Sequence, residues 1–193
     1  MLIQEVSYIL PKHWDPMNLN FQQYKLTNLP HYSSEYHRVF DLMNVGIYYN
    51  CIQGIYRVQN PTLFSKFRLK MYDFEQKGPY NILSLYHDTA RENVISIAKY
   101  NFDWRYGERF MFGPGVYFST SPQLANKHSS KTNGTFRSMF IAEVLTQNVQ
   151  QVEGNVFLPD YGFDTVQCHN GETFVKYFDG EYFPSYVVDY ISL

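Results

Sequence analysis

Three short segments in the second half of the sequence carry side chains suited to binding a flat, polar ligand. Residues 85–89 end an apolar run at His87, and residues 113–118 place Tyr117 directly after a glycine-rich turn. The third segment, residues 182–188, is rich in aromatic and β-branched side chains. An imidazole can hydrogen-bond or stack, and a tyrosine ring offers an apolar face with a polar tip. These side-chain types favour recognition of a planar ring.

The glycines and cysteines of the chain restrict the choice of site. Gly113 and Gly115 allow a close approach of the backbone, but no third glycine completes the fingerprint of a Rossmann dinucleotide site. The two cysteines, Cys51 and Cys168, stand far apart and form no CxxC pair. Zinc needs three or four ligands at short spacing, so we expect no metal site and two reduced, packed thiols.

Composition and charge indicate a globular protein and exclude several classes. The chain has 193 residues, 45% hydrophobic and 18% charged, which suits one domain. Its net charge of −2 is too low for a general nucleic-acid binder. We find no signal-peptide pattern and no apolar run long enough for a membrane span. We therefore expect a soluble intracellular protein, cytoplasmic or nuclear.

The elements that must position the candidate residues follow from hydrophobic spacing. A helical period from Ser33 to Met43 predicts one helix, and residues 62–75 predict a second. Residues 47–60 and residues 81–87 each predict a strand. Thr89 is expected to cap a further helix, and Ser121, which Pro122 follows, to cap another. Short apolar strands dominate the later sequence. We predict an α+β fold in one domain, with a helix-rich lead-in over residues 1–80 and a strand-rich core over residues 81–193.

In order and spacing, the three segments resemble strand motifs of the PARP-type (diphtheria-toxin-like) ADP-ribosyltransferases. Residues 101–105 resemble the start of that family's donor loop, residues 139–145 its central strand and residues 163–166 its Tyr-Asp-Ser-Val motif. The lead-in is similar to the mono-ADP-ribosylating branch near the zinc-finger antiviral protein. The resemblance covers nearly the whole chain. It implies a split antiparallel β-sheet that binds NAD+ as substrate.

The resemblance also implies roles for three residues. His87, Tyr117 and Val187 match the positions of the family's His-Tyr-Glu triad. His87 is expected to hydrogen-bond a ribose hydroxyl of NAD+, and Tyr117 to stack on the nicotinamide ring. Val187 stands in the glutamate position, which implies transfer of a single ADP-ribose without chain elongation. The three side chains are expected to converge on one cleft.

Further NAD+ contacts implied by the resemblance lie at Asp88, Arg105, Phe118, Ala125 and His128. Asp88 replaces a glycine whose backbone grips the carboxamide, and its carboxylate is expected at the rim of the pocket. Ala125 replaces a serine, and losing that hydrogen bond would cost about 0.5–1.5 kcal/mol. A surface role is equally compatible with His128 and nearly as compatible with Arg105.

Two functions remain open from the residues. The first is a mono-ADP-ribosyltransferase that uses NAD+, needs no metal and modifies a protein acceptor of unknown identity. The second is a catalytically impaired pseudoenzyme of the same fold that serves as a protein-interaction module. His87 and Tyr117 favour the enzyme, whereas Asp88 and Ala125 favour the module.

Overall fold

The computed structural model describes residues 10–44, 51–107, 111–129, 135–168 and 171–192. Within these ranges the helices are α1 (Ser34–Asn44), α2 (Pro61–Lys77), α3 (Val94–Tyr100) and α4 (Pro122–His128). The strands are β1 (Lys25–Asn28), β2 (Ile52–Gln59), β3 (Asn81–Ala90), β4 (Val116–Ser119), β5 (Phe136–Thr146), β6 (Val149–Gln151), β7 (Thr165–Cys168), β8 (Thr173–Lys176) and β9 (Tyr182–Ile191). The strand predicted over residues 47–60 corresponds to β2, and residues 47–50 lie outside the described ranges.

One sheet contains all nine described strands, in the order β1-β2-β9-β5-β3-β4-β8-β7-β6. Neighbouring strands are antiparallel except β6 and β7, which are parallel. The predicted α+β class with a mostly antiparallel sheet is therefore confirmed. Residues before position 80 contribute β1 and β2 to the sheet as well as α1 and α2, which leaves the expected helix-rich lead-in unconfirmed.

Local capping chemistry explains where three helices begin. The hydroxyl of Ser33 accepts a hydrogen bond from the backbone near the start of α1. Asn60 caps α2 and Ser121 caps α4 through their side-chain oxygens, and each is followed by a proline at the first helical position. The start of α4 at Ser121-Pro122 is the one that the sequence predicts.

Strand β3 extends further than the sequence predicts. Thr89 pairs with Ser138 of β5 instead of capping a helix, and its hydroxyl accepts a hydrogen bond from Asn93. A single 3-10 turn then precedes α3. The long ladder with β5 keeps this segment extended, because every residue of β3 has a partner on that strand.

The sheet opens between β3 and β4. All ten residues of β3 pair with β5, whereas its pairing with β4 consists of the single bridge Tyr86–Ser119. Beyond Tyr86, the edge of β3 that faces β4 has no strand ladder in the described part of the chain. A backbone edge of this kind can hydrogen-bond a ligand.

Two packed clusters cover the two faces of the central strands. Phe140 and Val187 belong to the first cluster, together with α3. Met139 and Tyr190 belong to the second, against α1. Because side chains alternate along a strand, neighbouring residues of β5 and β9 enter opposite clusters. None of the described helices has both the length and the apolar character needed to cross a membrane.

Candidate functional site

The structure brings His87 and Tyr117 together where β3 and β4 separate. The His87 Nδ1 atom lies 2.8 Å from the backbone carbonyl oxygen of Tyr117. A carbonyl oxygen only accepts, so Nδ1 carries a proton and donates it to this bond. In a neutral imidazole this leaves the lone pair of Nε2 as an acceptor for a ligand hydroxyl.

The surroundings of His87 keep its ring neutral and fixed. The centroid of the Phe102 ring lies 4.9 Å from that of the imidazole, and the centroid of the Phe118 ring lies 6.0 Å from it. Each of these rings is inclined at 61° to the imidazole. Burial lowers the pKa of His87, and the hydrogen bond to the Tyr117 carbonyl offsets this only in part. An imidazole whose pKa lies below its usual value is uncharged at neutral pH.

The phenol of Tyr117 is held by the turn that precedes it. Its hydroxyl donates to the Gly113 carbonyl at 2.9 Å and accepts from the backbone N–H of Phe112 at 2.8 Å. Burial raises the pKa of Tyr117, so the phenol stays protonated and keeps both bonds. These contacts orient the ring while leaving it partly exposed.

The two glycines of this turn serve backbone packing. Gly113 has a φ of +85°, and a Cβ there would lie 1.9 Å from the carbonyl oxygen of Phe157. At Gly115 a Cβ would lie 2.6 Å from Val175 and 2.7 Å from the Lys176 carbonyl. The close approach predicted from the sequence therefore occurs between parts of this chain.

The side chains of Phe118 and Val187 are not exposed at the opening, although the resemblance implies an NAD+ contact for Phe118 and a place in the cleft for Val187. Both are completely buried in the first core cluster. Phe118 alternates with Tyr117 along β4, so its ring packs inward against Phe102 and His87. Val187 pairs with Phe140, which pairs with His87, so Val187 lies two strands away from that histidine. Within the triad positions, the His87 imidazole contacts the backbone of Tyr117, whose ring leaves β4 on the face opposite to Phe118.

The carboxylate of Asp88 also departs from expectation, because it is buried and does not lie at a pocket rim. Arg137 donates to it from Nε at 3.1 Å and from Nη2 at 2.7 Å, and the Tyr190 hydroxyl donates at 2.7 Å. Asp88 and His87 are consecutive strand residues, so their side chains leave β3 on opposite faces. The carboxylate therefore cannot act on a ligand beside His87.

The remaining expected NAD+ contacts lie on α4 and on the segment after α3. Ala125 is buried in the second core cluster, and His128 is exposed at the last residue of α4. The Arg105 Nε donates to Asp103 at 2.9 Å, and its guanidinium lies over the ring of Trp104. Asp103 thus engages the Arg105 guanidinium, which was expected to contact NAD+ or to lie at the surface.

Two residues that support the site were not predicted for it. Phe102 lies in the segment 101–105 that resembles the donor loop, but no role in the site was expected for its side chain, and its ring packs against His87. Arg137 was not singled out, although a carboxylate inside an apolar strand requires a buried cation nearby. That requirement at Asp88 was the signal that could have pointed to Arg137.

A cavity of about 430 Å³ lies elsewhere, between the N-terminal segment and the sheet. Its walls include Trp14, Arg38, Phe64 and Glu143, and none of the predicted site residues. We place the candidate site at the β3–β4 opening, because hydrogen-bonding groups converge there. Within the described residues, no group of three or more His, Cys, Asp or Glu side chains is arranged to hold a metal ion.

A protein-family model and several known proteins match this chain. The family model for the poly(ADP-ribose) polymerase catalytic domain matches residues 33–171, which include β3 and β4. Mouse protein mono-ADP-ribosyltransferase PARP11 is 26% identical over 214 residues, which cover 94% of this chain and 64% of that protein.

Two further relatives share most of this chain. Mouse protein mono-ADP-ribosyltransferase PARP12 is 30% identical over 143 residues, covering 70% of this chain and 20% of that protein. Human protein mono-ADP-ribosyltransferase PARP14 is 24% identical over 197 residues, covering 94% of this chain and 11% of that protein. The chain thus spans less than two thirds of the length of each of these relatives.

Proposed function

Because the chain belongs to the poly(ADP-ribose) polymerase catalytic-domain family, we propose that it is a mono-ADP-ribosyltransferase that transfers ADP-ribose from NAD+ to a protein acceptor. The names of its relatives support transfer of a single ADP-ribose. The observation that carries the proposal is the 2.8 Å contact between the His87 imidazole and the Tyr117 carbonyl at the open edge of β3.

The groups at this opening suit the parts of NAD+. The His87 Nε2 atom accepts a hydrogen bond from a ribose hydroxyl, and the partly exposed Tyr117 ring stacks on nicotinamide. Asp88 lies in a strand, and Asn101 is the one described non-glycine residue with a positive φ. The Asp88 backbone is therefore extended, as a grip on the carboxamide requires, although the residue is not glycine.

The reaction needs one bond to break and one to form. The bond between the ribose C1′ and the nicotinamide nitrogen breaks, and its electron pair leaves with neutral nicotinamide. An acceptor side chain then bonds to C1′ and loses its proton to solvent. Val187 has no carboxylate that could activate a hydroxyl of bound ADP-ribose, which supports a single transfer over polymer growth.

The experiment measures NAD+ binding by thermal shift and turnover by release of nicotinamide. NAD+ at a hundredfold excess over its dissociation constant should stabilise the protein by about 2.7 kcal/mol. His87→Ala should abolish both signals, whereas His37→Ala, exposed on α1, should retain them. The absence of both signals in the wild-type protein would contradict the proposal.

One observation favours a second candidate, the pseudoenzyme that acts as an interaction module. Ala125, at the family's serine position, offers no hydroxyl and packs its methyl group into the second core cluster. The same experiment separates the two candidates, because a module would fold normally yet release no nicotinamide.

A further inference from the structure

A loop between β6 and β7 presents large apolar side chains to solvent. It spans residues 152–163, and we call its outward side chains the loop patch. Phe157 is 75% exposed and Leu158 53%, and Tyr161 and Phe163 are also exposed. Isolated exposed apolar residues are common, but four in one short loop indicate a contact surface.

Hydrogen bonds hold the backbone of this loop in place. The Asp160 N–H donates to the Gln150 side chain at 2.8 Å, and that side chain donates back to the Asp160 carboxylate at 2.6 Å. The Asn148 amide donates to the Gly162 carbonyl at 3.0 Å. Since the loop is already ordered, a partner can bind its side chains with a small cost in loop entropy.

The loop patch lies beside the candidate site. The Phe157 carbonyl oxygen packs against Gly113, and a Cβ atom added to Gly113 would lie 1.9 Å from that oxygen. The Gly113 carbonyl in turn accepts the hydrogen bond of the Tyr117 phenol. A molecule bound to the loop patch is therefore close to the ring expected to hold nicotinamide.

The stretch of sequence that contains the loop patch carries charge of one sign. Residues 138–175 contain five carboxylates and no lysine or arginine, whereas residues 1–137 contain fifteen basic and ten acidic side chains. Glu153 and Asp160 are exposed within the loop itself. The next basic residue, Lys176, is completely buried in ion pairs, so it does not offset this charge at the surface.

We propose that the loop patch docks the acceptor protein through a segment in which apolar side chains alternate with lysine or arginine. This inference rests on the proposed function and specifies its substrate class. Apolar side chains of the acceptor cover Phe157, Leu158 and Tyr161, and its cations face Glu153 and Asp160. Acidic peptides and nucleic acids are repelled by the same charge.

The test compares the wild-type protein with the triple variant Phe157→Ser/Leu158→Ser/Tyr161→Ser. A matched control replaces exposed tyrosines elsewhere, Tyr32→Ser/Tyr72→Ser. The probe is a fluorescent peptide of leucine, phenylalanine and arginine that contains serine, glutamate and cysteine as possible acceptors. Anisotropy measures binding without NAD+, and radiolabelled NAD+ measures modification of the peptide.

We expect the triple variant to weaken peptide binding about tenfold or more and to raise the KM for peptide. The rate of NAD+ hydrolysis, measured as nicotinamide released in the absence of peptide, should change less than about twofold. The control should match the wild-type protein. Replacing the peptide's arginines with glutamates should abolish binding. Wild-type protein that binds the peptide but releases no nicotinamide would overturn the proposed function and retain the docking surface.

Two results would overturn the docking inference itself. One is equal binding of the basic and acidic peptides with no effect of the triple variant. The other is a concentration-dependent dimer, seen by light scattering, that the triple variant abolishes and that excludes the peptide. In that case the occupant of the loop patch would be a second copy of this chain.

Discussion

Asp88 is tolerated in the middle of a buried strand because three donors converge on it. Both of its oxygens accept hydrogen bonds, one from the Tyr190 hydroxyl and the other twice from Arg137. Arg137 also donates to the Ser129 hydroxyl directly after α4. The pair therefore links β3, β5 and β9 to the end of the helix that carries Ala125 and His128. Its role is to position these elements.

Removing this carboxylate should destabilise the protein without raising turnover. Asp88→Gly leaves the Arg137 guanidinium buried and without its carboxylate, so we expect a loss of about 3–5 kcal/mol in the free energy of unfolding, measured in urea. The double variant Asp88→Leu/Arg137→Met should be more stable than the single variant. Unchanged stability with faster nicotinamide release would show that Asp88 restrains catalysis.

The neutral state of His87 predicts how stability depends on pH. Burial lowers its pKa in the folded protein below the ordinary 6.5, so the unfolded chain takes up a proton first as the pH falls. The contribution of the neutral His87 to the free energy of unfolding is fully present above pH 6.5 and is lost as the pH falls below that value. The stability of wild type relative to His87→Gln should fall by at most about 1.4 kcal/mol per pH unit.

Urea unfolding at pH 7.5, 6.5 and 5.5 measures this difference. His37→Gln, exposed on α1, is the matched control. A difference that stays constant, or grows as the pH falls, would contradict a buried neutral imidazole.

At the scale of elements, the turn before β4 determines where Tyr117 lies. Gly113→Ala combines an unfavourable positive φ with a collision against the Phe157 carbonyl, so the turn must move. We expect a loss of about 2 kcal/mol or more in stability and a weaker NAD+ thermal shift. Gly154→Ala, where a Cβ meets nothing within 4 Å, should be near neutral. Equal behaviour of the two variants would contradict this role of the turn.

A second buried charge cluster joins β8 to its neighbours. The Lys176 ammonium contacts the carboxylates of Asp164 and Glu181, each at 2.9 Å. Burial would raise the pKa of Asp164, but Lys176 and hydrogen bonds from Thr165 and Asn148 lower it overall. Burial raises the pKa of Glu181 despite the same ammonium.

Lys176→Met should therefore leave two carboxylates without their cation. We expect a loss of about 3–5 kcal/mol in the free energy of unfolding at pH 7. Part of this loss should be recovered at pH 5, where Glu181 binds a proton more readily. Lys70→Met, a partly exposed lysine paired with Asp73, is the control and should cost less than about 1 kcal/mol. Similar losses for both lysines would argue against the buried cluster.

For the whole molecule, the sheet order predicts how stability is distributed. Strand β5 lies between β3 and β9 and pairs with both along nearly its full length, whereas β6 has three residues at an edge. Amides of β5 should therefore exchange with solvent at least roughly a hundredfold more slowly than those of β6. Hydrogen-exchange mass spectrometry of peptic peptides measures this, and equal protection would contradict the topology.

The sequence alone was sufficient for features that depend on neighbouring residues. Capping by Ser121 before Pro122 and the helical period of α1 act over one or two turns, so they are visible in the pattern. The order of motifs identified the family, and His87 and Tyr117 as its matched residues, because a motif requires only residue types at set spacings.

Features that depend on distant contacts required the tertiary structure. Arg137, the partner of Asp88, is 49 residues away, and no local pattern joins them. Strands β6 and β7 have three and four residues, too few for a periodic signal, and exist because β6 pairs with β7 and β7 with β8. Whether a side chain such as Val187 meets the ligand or the core depends on strand pairing, since a shift of one residue exchanges the two faces of a strand.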